Sequence, residues 1–117
     1  MEFKIDKIED YVLIRVLKEK LDTIMSPSLK SELVLLSGNN EKNILLDLSK
    51  CTYCDSSGLS AILVANRLCK NAEGVFILSG LQPAVERLIS VSQLDTVLSI
   101  APTLEDGTEM MRRKVKT

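Results

Sequence analysis

Two thiols, a carboxylate and two serine hydroxyls stand close together in Cys51-Thr52-Tyr53-Cys54-Asp55-Ser56-Ser57-Gly58. A serine attacks an acyl or phosphoryl centre only with a base beside it, and the chain contains no histidine. No lysine is placed near the Asp55-Ser56-Ser57-Gly58 motif by local spacing, and the Gly-x-Ser-x-Gly pattern of a nucleophile elbow is missing. Hydrolase chemistry is therefore set aside. Leu59, Ile62 and Leu63 follow at helical spacing, so Asp55, Ser56 and Ser57 stand where a helix begins. Such a place is a helix cap by default, and it is also one where a serine phosphate could be added and accommodated. Backbone N–H groups there lack intrahelical partners, and an added anion is accommodated. Ser57 reads as the cap through its hydroxyl, and Asp55 as a second cap or a carboxylate orienting Ser56. Gly58 reads as the residue that lets the chain turn and a partner backbone approach.

Cys51-x-x-Cys54 after a strand has the spacing of a thioredoxin-like redox pair. Such thiols react through a thiolate, which Asp55 disfavours. The structural role, small apolar residues lining the underside of the turn, is the stronger reading. With Cys69 the cysteines number three, one short of a structural zinc site and odd for a disulfide framework.

The chain's 117 residues suit one domain, spanning 1–117. A formal net charge of −1 argues against nucleic-acid binding, which needs a basic face. Phe3, Tyr11, Tyr53 and Phe76 are too scattered to stack bases. No segment approaches the ~20 apolar residues of a membrane span, and the first residues lack the apolar core of a signal peptide. A cytoplasmic protein without membrane insertion is expected. No glycine-rich phosphate loop appears, so no nucleotide or other cofactor is expected in this chain.

The elements that position the motif follow from periodicity. Alternation over residues 2–8 and the β-branched run after Glu9-Asp10 predict a hairpin over 2–17, then a loop over 18–23. Ser26 before Pro27 reads as an N-cap, Leu29, Leu33 and Leu36 as a helix face, and Gly38-Asn39-Asn40 as its stop. Residues 43–48 read as a strand buried on both faces. A helix over 57–71 follows, then a strand over 75–78 and a helix opened by Pro83. Residues 97–100 are predicted as an edge strand. A last helix over 103–115 is capped by Thr103, with Glu105 and Asp106 first and Arg112, Arg113 and Lys114 last, as the helix dipole prefers. The tail over 110–116 reads as that helix end with complementary charge rather than as a membrane-binding segment. The order ββαβαβαβα predicts an α/β fold, a small mixed sheet packed with helices.

Laid out this way, the chain resembles the anti-sigma factor antagonist branch of the STAS family. The resemblance rests on the hairpin, Leu21-Asp22 after it, and Leu46-Asp47-Leu48 before Asp55-Ser56-Ser57-Gly58-Leu59. It extends to Gly80-Leu81-Gln82-Pro83-Ala84-Val85. The sequence departs from the family pattern at Glu19 and Ser60, where glycine is usual.

The resemblance implies a non-enzymatic regulator with Ser56 as phosphate acceptor. Its implied partners are an anti-sigma factor that is also a GHKL-type serine kinase, and a PP2C-type phosphatase that resets the switch. The unphosphorylated form would hold the anti-sigma factor and free a sigma factor. Asp22, Asp55, Ser56, Ser57 and Gly58 would form the partner surface. Stand-alone STAS proteins also serve as accessory subunits of membrane lipid-transport ATPase complexes, which is the alternative expectation.

Overall fold

The computed structural model describes residues 2–115. Apolar and polar residues alternate from Phe3 to Asp6 in β1 (Phe3–Ile8), a partly buried strand, and Glu9, at a left-handed φ of 47°, turns it back into β2 (Tyr11–Val16). Short β3 (Lys20–Leu21) leads to helix α1 (Ser26–Gly38) and the fully buried strand β4 (Ile44–Asp47). Short β5 (Tyr53–Cys54) precedes helix α2 (Ser56–Asn71), and β6 (Phe76–Ser79) precedes helix α3 (Pro83–Val91). A 3-10 turn at Leu94–Thr96, edge strand β7 (Ser99–Ala101) and helix α4 (Leu104–Val115) complete the described chain. Lys116, part of the tail discussed above, lies outside the described residues.

The main sheet has the order β1-β2-β4-β6-β7, antiparallel only in the hairpin. Each crossover steps the same way across the sheet, and right-handed crossovers of that kind put their helices on one face. Accordingly α1, α2 and α3 share a core with Val12, Ile14, Leu46 and Leu78. The opposite face carries Tyr11, Leu13, Leu45 and Ile77, covered by α4 through Met111. This is the small mixed sheet with flanking helices expected from the pattern. Fully buried Leu29, Leu33 and Ile62 each contribute roughly 1.5–3 kcal/mol of transfer free energy. The small residues Gly58, Ala61 and Ala65 on the buried face of α2 let that helix lie close to its neighbours.

Three features differ from the expected pattern. Lys20 and Leu21 are not loop but pair in parallel with Tyr53 and Cys54, forming a second, two-stranded sheet. Ser26 is not the cap of α1: Met25 holds that position, Ser26 is already helical, and its buried hydroxyl has no hydrogen-bond partner among the described residues. The turn is set upstream, where the Asp22 carbonyl accepts the Ser26 amide at 2.8 Å. The last strand begins at Ser99 because Leu94–Thr96 first makes a 3-10 turn. Elsewhere Pro83 starts α3, and the Thr103 hydroxyl accepts the Asp106 amide at 3.1 Å, as expected.

Candidate functional site

Strand β4 ends in a buried carboxylate, Asp47, which would be costly without donors. Its Oδ1 accepts from the Ser49 hydroxyl at 2.7 Å and the Ser79 hydroxyl at 2.9 Å. Gln82 Nε2 donates to the Ser49 carbonyl at 2.6 Å, and the Leu48 amide to the Ser79 carbonyl at 3.0 Å. Gly80, at φ +71°, leaves room for the Ser49 hydroxyl that any side chain there would strike. These contacts fix the loop that carries the chain from β4 to β5.

The two-stranded sheet then sets the motif in place. The Glu19 carbonyl accepts the amides of Thr52 and Tyr53 at 2.8 and 3.1 Å, and the Leu21 carbonyl accepts that of Asp55 at 3.3 Å. Asp22, distant in sequence, is thereby held beside the start of α2. Its Oδ1 accepts the amides of Ile24 at 3.1 Å and Met25 at 3.2 Å, an Asx turn that leads into α1.

Asp55, extended at φ −108° and ψ −170°, is the N-cap of α2. Its Oδ1 accepts the amides of Ser57 at 2.9 Å and Gly58 at 3.1 Å, and its carbonyl accepts the Leu59 amide at 3.0 Å. Ser57 therefore does not cap the helix. It lies one residue inside, where its own amide is consumed by Asp55. The helix begins at Ser56, one residue earlier than expected. Ser56 is exposed, and its hydroxyl makes no hydrogen bond among the described residues. Gly58 is buried, and a Cβ on it would overlap the Leu21 carbonyl and lie 2.6 Å from Cys54 Sγ. The close backbone approach expected at Gly58 is made by the chain's own β3.

Two residues that sequence reasoning passed over flank this surface. Ile24, 82 % exposed, follows Asp22, and Tyr53, 48 % exposed, lies on β5 before Asp55. An isoleucine inside the polar run before Pro27 was the available signal. It lacks a periodic neighbour and so drew no element assignment.

The thiols sit beneath. Burial, with the charge of Asp22 adding, raises the Cys51 thiol, which donates to the Tyr53 carbonyl at 3.1 Å. Burial, then Cys51 and Asp55, push Cys54 up to about 12. Both remain protonated thiols at neutral pH and line the turn as small apolar residues. Among the described residues, no group of three or more His, Cys, Asp and Glu side chains is placed to hold a metal. None of the described helices is long and apolar enough to cross a membrane.

A small mixed sheet beside a two-stranded β3-β5 sheet that delivers a capped Asp-Ser-Ser-Gly helix start defines a class. The chain belongs to the STAS domain family, whose model matches residues 2–107. It is 27% identical over 105 residues to a Bordetella bronchiseptica protein named as a candidate anti-sigma factor antagonist, BtrV, covering 90% of each chain. Its fold superposes with TM-score 0.84 on a candidate anti-sigma factor antagonist from Thermotoga maritima, at 23% identity and covering 94% of each chain. It also superposes with TM-score 0.73 on the Bacillus cell fate determinant SpoIIAA in its phosphorylated form. That match has 21% identity and covers 92% of this chain and 97% of that one.

Proposed function

We propose that this chain is an anti-sigma factor antagonist whose binding surface is switched by phosphorylation of Ser56. The observation that carries the reading is the exposed, unbonded Ser56 hydroxyl at the first position of α2. It lies on a surface shared with Asp22 and Asp55 and flanked by exposed Ile24 and Tyr53. The names of the Bordetella and Bacillus proteins support it, one as a candidate antagonist and the other as a phosphorylated STAS-fold regulator.

Exposed apolar groups beside carboxylates make a docking rim, and a hydroxyl within it is a small, neutral contact. A phosphoserine brings roughly −1.5 to −2 charges and three strong acceptors. The amides of Ser57 and Gly58, which could cradle an anion, are already bonded to Asp55. The helix dipole still favours the phosphate by roughly 0.3–1 kcal/mol, and the adjacent Asp55 offsets part of that. The phosphate therefore stays at the surface and repels an approaching partner, with little change in the domain itself. The unphosphorylated protein holds an anti-sigma factor that is also a GHKL-type serine kinase. A PP2C-type phosphatase restores the binding form.

The test is a native-lysate pull-down with wild-type protein and Ser56→Asp, with ADP and then ATP, read by mass spectrometry. Recovery of a serine kinase by wild type alone, lost when ATP places phosphate on Ser56, is the expected result. Equal recovery by both proteins of a transporter ATPase, with Ser56 unmodified, contradicts the reading and favours the accessory-subunit alternative.

A further inference from the structure

The free edge of β1 is complementary to itself, and we propose that it is a homodimer interface, away from the Ser56 surface. Among the described residues, strand β1 stands at the end of the main sheet with no strand beyond it. Its hydrogen-bonding phase is fixed by the Leu17 amide, which donates to the Glu2 carbonyl at 2.9 Å in the register that pairs Phe3 with Val16. Hydrogen-bonded and non-hydrogen-bonded pairs alternate along an antiparallel ladder. Glu2, Lys4 and Asp6 thus spend their main-chain groups on β2, whereas Phe3, Ile5 and Lys7 direct theirs to the open edge.

A second β1 can add only where these outward groups meet their counterparts, which restricts the antiparallel registers to steps of two residues. Side-chain charge then selects among them. With the two-fold axis at Ile5, Phe3 lies opposite Lys7 and Ile5 opposite Ile5, giving about six main-chain hydrogen bonds. On the other face Lys4 lies opposite Asp6 twice over, at the non-hydrogen-bonded sites where side chains approach most closely. A two-residue slip one way sets Lys4 against Lys4, and the other way sets Asp6 against Asp6. One register is attractive and its neighbours are repulsive.

The surroundings fit a second copy. Lys4 is exposed, and Ile5 is 37 % exposed although it is apolar. A groove runs along the edge between β1 and the first turns of α1, lined by Phe3, Ile5, Leu17, Ser28, Ser31 and Glu32. The small serines of α1 leave space there. Charged residues on an edge strand ordinarily discourage pairing. Here Lys7 is neutralised by Glu41 of its own chain at 2.6 Å, and the remaining two charges are spaced to match a two-fold. The result is a continuous sheet through two domains.

Sedimentation equilibrium of the full chain over a wide concentration range tests this. The expected weight-average mass rises with concentration towards twice the 13.0 kDa of one chain. Lys4→Asp and Asp6→Lys each place like charges opposite and should weaken dimerisation about tenfold or more. The double exchange K4D/D6K should restore it, and mixing the two single variants should yield the heterodimer. A chain that stays monomeric throughout would overturn the proposal. So would a dimer indifferent to both single substitutions, which would place the interface elsewhere. These outcomes do not depend on Ser56, so partner switching stands or falls separately.

Discussion

The Asp55 amide donates to the Leu21 carbonyl at 3.3 Å, and this bond ties the first turn of α2 to the strand that ends beside Asp22. Two segments more than thirty residues apart thereby present one surface. The pairing of Lys20 with Tyr53 and of Leu21 with Cys54 extends the tie along both strands. Gly58 makes the tie possible, because its missing side chain is what lets Leu21 lie so near.

Substituting Gly58 by alanine should therefore destabilise the fold even though alanine favours helices. The new methyl meets the Leu21 carbonyl and Cys54 Sγ, and a helical Gly-to-Ala gain of up to about 1 kcal/mol cannot offset it. Overpacking of this kind costs about 1–3 kcal/mol net. Urea titration followed by circular dichroism measures it. An unchanged midpoint would show that β3 can move away without penalty.

Asp55→Ala removes the acceptor for two amides of α2 and should cost about 0.5–2 kcal/mol. Asp55→Asn keeps an oxygen in place and should lose much less. The contrast between the two variants in thermal unfolding isolates the cap from any effect of charge. Equal losses would mean that the charge, rather than the acceptor, matters.

Alkaline pH should weaken the protein through its thiols. Burial holds Cys54 and Cys69 up at about 12 against an ordinary 9.0, and raises Cys51 as well. Above the ordinary value the unfolded chain releases thiol protons that the folded chain keeps, so the unfolded state binds fewer protons. Stability is then full below pH 9.0 and falls progressively as pH rises towards about 12. Denaturant titrations at pH 7.5, 9 and 10, run beside a triple Cys→Ala variant, would read this as a slope that the variant lacks. Wild type and variant with the same slope would assign the alkaline loss to other groups.

The hairpin and the central strand of the main sheet were legible because they are long enough to show a pattern. Residues 3–6 alternate apolar and polar, and Ile44, Leu45 and Leu46 make an unbroken apolar run of the sort that helices cover on both sides. Lys20–Leu21 and Tyr53–Cys54 were not legible, since two residues carry no period and their pairing is decided by tertiary placement. The caps divided along similar lines. Thr103 bonds a residue three positions ahead within its own turn, so local sequence identified it. Ser26 had the right residue type, but the turn made by Asp22 starts the helix before it. At the site, Asp and Ser are both residue types that cap helices, and Asp55 rather than Ser57 takes the role. The choice between them depends on where β5 ends, which the sequence does not mark. Ser56 was proposed as the acceptor from the motif and the family resemblance, whereas Ile24 and Tyr53 gained significance only once their exposure was known.

The central claim is tested most directly by mapping phosphate on the protein after incubation with ATP and the captured kinase, comparing wild type, Ser56→Ala and Ser57→Ala. One phosphate on Ser56 in wild type and Ser57→Ala, and none in Ser56→Ala, is the expected result. The phosphorylated form should bind its partner at least a hundredfold more weakly, a loss of about 3 kcal/mol. Phosphate on another residue, or equal binding by both forms, would contradict the claim.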